Sequence, residues 1–156
     1  MSADAATTTP ARTTGTAAAR RTRVIGSLLL ALGVLLAVAG IGTWGGIAAG
    51  LVQERVTVSD NAAMFAGQSI TSPWTAWAQS EVIRTDIADM TGGRTYAEMD
   101  REDPQRAAVA TGTCLRASLI TSVVAFGVAL ALVGIGVGFV LGGLGLRSAA
   151  AHVPAA

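Results

Sequence analysis

The sequence predicts an all-α membrane protein: two transmembrane helices form a helical hairpin and are joined by a 64-residue, partly helical extracytoplasmic loop. Two stretches carry this prediction, residues 24–52 and 117–146, because neither contains a single Asp, Glu, Lys, Arg or His. About 20 apolar residues in a helix cross a bilayer core of about 30 Å, so both stretches are long enough. A helix also pairs its own backbone groups, as lipid requires. Only 13% of the chain is charged, against about 25% in soluble domains.

Residues 1–23 are predicted to form a disordered cytoplasmic arm, because they are rich in Ala and Thr and almost without large apolar side chains. The arm ends in Arg20, Arg21 and Arg23. A basic segment before an apolar stretch is also the order found in a signal peptide, but a signal core has only about 7–15 apolar residues. A retained membrane anchor is therefore expected, and cleavage after the small-x-small sequence Gly46–Ile47–Ala48 is the alternative.

The distribution of arginine predicts the topology. All eleven basic residues are Arg, which together with the Ala and Gly content is typical of a GC-rich bacterial genome. The arm carries a net charge of +3, residues 147–156 carry +1, and the loop 53–116 carries −3. Because basic flanks favour the cytoplasm, both termini are expected inside a bacterial inner (plasma) membrane. Trp44 supports this orientation, since it follows Val24 by about one bilayer thickness, where an aromatic belt is expected.

The loop contains signals for several short elements. The alternating β-branched segment 55–59 predicts a short strand. Ser72 followed by Pro73 predicts a helix over about 73–90, which the Gly92–Gly93 pair ends. Thr95 and Glu98 have the spacing of a capping box. The Asp103–Pro104 pair opens a further helix, one that can continue into the second span.

Aromatic and charged residues of the loop predict an interaction surface. Its two tryptophans are interpreted either as loop core or as an interfacial anchor. The acidic cluster is interpreted as a solvated face or helix cap, with weak divalent-cation binding as the alternative. The predicted surface comprises Trp74, Trp77, Tyr96, Glu98, Asp100, Arg101, Glu102 and Asp103.

Two G-x-x-x-G-x-x-x-G motifs predict close helix packing. The first consists of Gly42, Gly46 and Gly50, and the second of Gly134, Gly138 and Gly142. In an antiparallel pair the motifs lie in opposite leaflets, so the first is expected to face small residues over 117–129 and the second to face the level of Gly33 and Ala37. Because the small strips on each helix point in different directions, one strip is expected to remain for another chain. Chance spacing in a Gly-rich span is the alternative.

No residue set predicts a catalytic, cofactor or metal site. The only histidine is His152, and the only cysteine, Cys114, is interpreted as a small apolar residue. The alternatives for Cys114 are an intermolecular disulfide or lipid attachment. Neither span contains an ionisable residue, whereas ion and proton pathways normally carry one.

Several loop motifs are similar to a known family. The most specific is the run Gly-Gly-Arg-Thr-Tyr-Ala-Glu at 92–98 that continues to Asp103–Pro104; shorter matches lie at 57–60, 75–79 and 115–119. Together they resemble small two-span membrane proteins of actinobacteria, over roughly residues 24–146. Many of these proteins carry the label "aromatic ring-opening dioxygenase", so the resemblance implies a component of such an enzyme. Extradiol cleavage uses iron held by two histidines and a carboxylate, so the iron would have to lie on another subunit.

Taken from the residues alone, the expected function is that of a non-enzymatic accessory or assembly subunit of a cell-envelope complex. The expected partners are membrane lipids and either further copies of the chain or a larger membrane-protein complex, with no nucleic acid and no cofactor. A dioxygenase component is one alternative. A self-assembled pore is another, which the absence of polar residues in the spans disfavours.

Overall fold

The computed structural model describes residues 13–152, and the secondary structure in this range is helical. Helix α1 spans Thr13–Gln53, α2 spans Pro73–Thr91 and α3 spans Arg106–Ala151, with a short 3-10 helix at Tyr96–Glu98. The described residues form two compact units, which divide α1 after Val38 and α3 before Val133. Residues 13–38 and 133–152 form the helix-pair unit, and Ala39–Leu132 form the loop unit.

The helix-pair unit brings α1 and α3 together, antiparallel, at glycines. A Cβ added to Gly26 would lie 2.8 Å from the carbonyl oxygen of Gly143, and one added to Gly33 would lie 2.6 Å from that of Gly136. Both contacts are reciprocal. Gly26 and Gly33 are seven residues apart on α1, and Gly136 and Gly143 are seven residues apart on α3. The close contact therefore stays on one face of each helix, as in a heptad repeat. Only a residue without a side chain fits such an approach of two backbones.

The two predicted glycine motifs do not make this contact. A Cβ at any of the six positions would meet no atom of the described residues within 4 Å; the six are Gly42, Gly46, Gly50, Gly134, Gly138 and Gly142. The expected packing of these glycines against the other helix of the same chain is therefore wrong. Glycines four residues apart form a row along a helix, but this spacing does not show whether the row faces the other helix. The glycines that make the contact are seven residues apart instead. A role of the six glycines between chains stays a prediction.

The predicted disordered arm is helical in its second part, because α1 begins at Thr13. Extending an existing helix costs far less than nucleating one, and the Ala and Arg residues at 17–23 have high helix propensity. The predicted disorder of residues 13–23 is therefore wrong. At the other end α3 continues through Ala151, beyond the predicted end of the second span. Residues 1–12 of the predicted arm and 153–156 of the predicted tail lie outside the described range.

In the loop unit α2 has the ends that its sequence indicates. Ser72 is the N-cap: its Oγ accepts a hydrogen bond from the Thr75 N–H, and the Thr75 hydroxyl accepts one from the Ser72 N–H. Pro73 occupies the first helical position. At the other end Gly92 has a φ of 63°, a left-handed conformation that glycine adopts without strain. The helix covers 73–91, against the predicted 73–90.

The predicted strand at 55–59 is absent from the described residues, which contain one isolated antiparallel bridge between Thr57 and Ser69. Val58 donates its N–H to the carbonyl oxygen of Gln68, and Gly67 donates to that of Val58. The β-branched residues do pair, but over too few residues to form a ladder. The side chain of Val58 points into the unit and is buried.

The core of the loop unit combines loop and helix residues. Val58, Ile70, Ala76 and Leu119 form one buried cluster. Leu119 lies on α3 inside the predicted second span, so this part of α3 packs against the loop. The unit also contains a tilted stack of Trp44 and Phe126, whose ring centroids are 4.8 Å apart. The loop therefore folds around the adjoining ends of α1 and α3.

Candidate interaction surfaces of the loop unit

Trp74 and Trp77 lie on the exposed face of α2. Their exposed fractions are 66% and 50%, whereas Ala76 and Ser80 of the same helix are fully buried. The interpretation of the two tryptophans as loop core is therefore wrong. Met64, which is also exposed, lines grooves together with Trp77. Large aromatic residues that remain exposed are typical of binding surfaces.

Two grooves flank Trp77, each with a volume of about 320 Å³. The first is rimmed by polar groups, among them Asn61, Glu81 and Asp86. The second is almost entirely apolar and includes Trp74 and Val123. The surface thus offers apolar pockets beside carboxylates, a combination suited to a side chain of another protein.

Hydrogen bonds hold the loop segment beside this surface. Gln79 on α2 accepts a hydrogen bond from the Ser59 N–H at 2.7 Å and donates one to the Ser59 hydroxyl at 3.0 Å. Asn61 donates to Asp86 at 3.4 Å. Because the amide of Gln79 satisfies both a donor and an acceptor of Ser59, it fixes the segment around residue 59 against α2. The tryptophan surface is consequently preorganised, which lowers the entropic cost of binding.

The segment that follows α2 is organised by its charged residues. The Glu98 carboxylate accepts hydrogen bonds from the N–H and the hydroxyl of Thr95, both at 2.8 Å. These two bonds, the backbone one first, hold the pKa of Glu98 below its usual value. The guanidinium of Arg106 lies 4.0 Å from the ring centroid of Tyr96 and donates to the carbonyl oxygens of Tyr96 and Met99. Tyr96 and Glu98 therefore stabilise this segment.

The eight residues predicted as one loop surface divide between separate sites. Trp74 and Trp77 line the grooves on α2, and Tyr96 lines a third groove. A separate shallow depression is lined by Asp100, Arg101, Glu102 and Asp103. Asp103 also accepts a hydrogen bond from the Gln105 N–H at 2.9 Å. This is an Asx turn before α3 and not a helix cap, because a capping side chain accepts from an N–H inside the helix.

The third groove is lined by three arginines and was not predicted. Arg84 extends from α2, Arg94 follows the glycine turn, and Arg116 extends from α3. Glu81 pairs with Arg84 at 2.8 Å and with Arg116 at 3.7 Å. The i,i+3 pair of Glu81 and Arg84 was visible in the sequence, but the approach of Arg94 and Arg116 depends on the tertiary fold.

The remaining predicted residues lie away from these grooves. Arg20, Arg21 and Arg23 are exposed on α1 just before its uncharged stretch. Cys114 is an exposed free thiol on α3. The imidazole Nδ1 of His152 lies 2.8 Å from the carbonyl oxygen of Ser148. Within residues 13–152, no three His, Cys, Asp or Glu residues are arranged so that they could hold a metal ion.

Two helices are long and apolar enough to cross a membrane: Ala17–Gln53 and Arg106–Ala151. The most apolar 18-residue segments within them have mean hydropathies of 2.7 and 2.6, and only 17% of each segment is buried. Comparison of the chain with protein-family models, with curated proteins and with solved structures found no match.

Proposed function

We propose that this chain is a non-enzymatic accessory or assembly subunit of a membrane-protein complex in the bacterial cell envelope. Helices α1 and α3 anchor it in the inner membrane with both termini in the cytoplasm. The loop unit lies outside the cytoplasm and binds a neighbouring membrane protein. The observation that carries this proposal is the preorganised, exposed pair Trp74 and Trp77 on α2.

The exposure of the apolar helices supports the membrane anchor. A core helix of a soluble protein buries its large apolar side chains, whereas these two helices leave most of theirs uncovered. In water each exposed side chain of this size forgoes about 1.5–3 kcal/mol of burial free energy. In lipid the same surface costs nothing. The exposed large apolar residues include Leu28, Leu32, Leu35, Val38, Ile41, Val128, Leu130, Ile135, Val137 and Leu141.

Charged and aromatic residues support a specific position in the bilayer. Residues 24–44 and 126–146 are 21 residues each, about 30 Å of helix, which matches the hydrocarbon thickness. Arg23 and Arg147 directly precede and follow these segments on the cytoplasmic side. Trp44 and Phe126 stack at the other end, where aromatic residues are enriched. Residues 45–52 and 117–125 then project beyond the hydrocarbon.

The position of the tryptophan surface indicates the kind of partner. Val123 lines the apolar groove beside Trp74 and precedes Phe126 by only three residues, about 4.5 Å along α3. The surface therefore lies just outside the hydrocarbon, within reach of the extracytoplasmic part of another membrane protein. Exposed Trp residues next to a well-defined pocket dominate the binding energy of many interfaces.

Photocrosslinking tests the partner. The full chain carries a photoreactive amino acid at position 77 in its native membrane, and a matched chain carries it at Gln68, an exposed residue of the same unit that lines none of the described grooves. We expect a crosslink to one defined membrane protein from position 77 and not from position 68. Exchange of Trp74 for Ala should abolish the crosslink.

Two results would contradict the proposal. Crosslinks from position 77 to lipid alone would make the tryptophans an interfacial anchor, the alternative left open by the sequence. Stoichiometric iron together with catechol ring opening by the purified protein would contradict the non-enzymatic role and favour a dioxygenase component.

A further inference from the structure

We propose that the arginine-lined groove of the loop unit binds the phosphate group of a small anionic molecule. This groove has a volume of about 410 Å³ and lies between α2, the turn after it and α3. Arg84, Arg94 and Arg116 line it, one from each of these three segments, and none of its lining residues is acidic. This groove is separate from the tryptophan grooves, although Glu81, which pairs with Arg84 and Arg116, also lines the first of them.

The charge balance of the groove favours an anion. Arg84 and Arg116 share one carboxylate, that of Glu81, and Arg94 pairs with Asp103 at 3.5 Å. Glu98 is bonded to Thr95 of the lining, and Arg106 lies over Tyr96. With these two included, four guanidinium groups face three carboxylates, and guanidinium groups stay charged at any pH of interest. One positive charge remains uncompensated. Glu81 is shared between two arginines, and its contact with Arg116, at 3.7 Å, is too long for a hydrogen bond.

Hydrogen-bond donors remain available for the ligand. Arg116 Nε is buried and has no hydrogen-bond partner among the described residues. Arg84 bonds Glu81 through Nε alone, so its two terminal nitrogens form no hydrogen bond with another described residue. Arginine forks match phosphate oxygens in a bidentate arrangement. The hydroxyl of Thr113 also lines the groove and adds a neutral donor, whereas the hydroxyl of Thr95 already donates to Glu98.

Apolar residues define the rest of the ligand class. Ile87, Ala88, Val109 and the ring of Tyr96 line the groove together with the arginines. A phosphate that carries an apolar or aromatic group uses both kinds of wall, whereas inorganic phosphate uses only the arginines. We therefore expect a phosphate monoester with an apolar substituent to bind more tightly than inorganic phosphate.

The distance from the bilayer distinguishes two sources of the phosphate. Arg116 precedes Phe126 by ten residues, about 15 Å of α3. Lipid headgroups extend about 5–8 Å beyond the hydrocarbon on each side. If the hydrocarbon ends at Phe126, the groove lies beyond the lipid phosphates, and the ligand comes from solution.

The test uses the purified full chain in a nonionic detergent. Phenyl phosphate and inorganic phosphate are titrated by calorimetry against a chloride control of equal ionic strength. We expect saturable binding of phenyl phosphate, tighter than that of inorganic phosphate. Arg84→Gln and Arg116→Gln should each weaken it about tenfold, the size expected for loss of one charged hydrogen bond. Arg84 is 55% exposed, so its variant remains informative if Arg116→Gln fails to fold.

The matched control is Arg55→Gln, which removes one positive charge from an exposed residue of the same unit outside the groove. Equal weakening by this control would overturn the proposal, as would the absence of phosphate binding above chloride. A second arm compares retention of phosphatidylglycerol and phosphatidylcholine by mass spectrometry of the intact protein. Selective retention of phosphatidylglycerol that is lost in Arg116→Gln would support the phosphate site and make lipid its source.

Discussion

Gly33 and Gly136 face each other so closely that neither can carry a side chain. A Cβ on Gly33 would lie 2.6 Å from the carbonyl oxygen of Gly136, and a Cβ on Gly136 would lie 2.6 Å from that of Gly33. Real side chains do not approach a backbone oxygen to this distance, so either substitution must separate the helices. Packing of this kind stabilises helix association in lipid, where apolar burial contributes little.

We expect Gly136→Ala to destabilise the helix pair by about 1–3 kcal/mol, the usual cost of inserting atoms into a tight contact. Gly138→Ala is the control, since a Cβ there meets no described atom within 4 Å, and its effect should stay below about 1 kcal/mol. The measurement is thermal unfolding in mild detergent, followed by circular dichroism. Equal destabilisation by the two variants would contradict the observed helix contact.

The outward-facing glycines should act between chains. Gly138→Leu inserts bulk into the strip formed by Gly134, Gly138 and Gly142, and we expect it to lower self-association or partner recovery about tenfold, equivalent to about 1.4 kcal/mol. Val137→Leu adds bulk at a neighbouring exposed position and should have little effect. Crosslinking in native membranes measures both. Indistinguishable yields from the two variants would reduce the glycine spacing to chance composition.

The sequence predicted the helical elements better than their contacts. The length of an uncharged stretch can be read directly from the sequence, so both long apolar helices were recognisable. The capping residues Ser72 and Gly92 likewise marked the ends of α2. Helix register is not local. Nothing in the sequence distinguishes Gly33 and Gly136, which touch, from Gly42 and Gly138, which do not, because the choice depends on which face of each helix meets the other.

The loop unit should depend on its small core. Ile70 is fully buried between Val58 and Ala76, so we expect Ile70→Ala to destabilise the unit by about 2–5 kcal/mol. Met64→Ala removes a side chain that is mostly exposed and should cost far less. Protease resistance of the loop in detergent measures the difference. A loop cleaved equally fast in both variants and in the unaltered chain would show that this core contributes nothing.

Glu98 should make the loop sensitive to acid. Its pKa is lowered in the folded state, so its stabilising effect is complete above the usual glutamate pKa of about 4.3 and is lost as pH falls through the lowered value. We expect Glu98→Gln to show a smaller loss of thermal stability between neutral pH and about pH 3. Asp100→Asn, at an exposed neighbour, should retain the acid dependence of the unaltered chain. Identical pH profiles for all three proteins would contradict this role of Glu98.

The arginine groove shows why the candidate site was harder to predict than the fold. Arg84, Arg94 and Arg116 are spread over 33 residues of sequence and three segments, and each is unremarkable in its local context. The tryptophans were recognised as functional candidates, but their exposure depends on which face of α2 packs on the rest of the unit. Composition identified the residue types, and the tertiary fold decided their neighbours.

The orientation of the hairpin is the central claim, and cysteine labelling tests it most directly. In a Cys114→Ser background, single cysteines replace Ala18, Asp89 and Ser148, all of which are exposed. Intact cells are treated with a membrane-impermeant maleimide before and after permeabilisation. The account predicts that position 89 is labelled in intact cells and that positions 18 and 148 are labelled only after permeabilisation. Labelling of positions 18 and 148 but not of 89 in intact cells would contradict it.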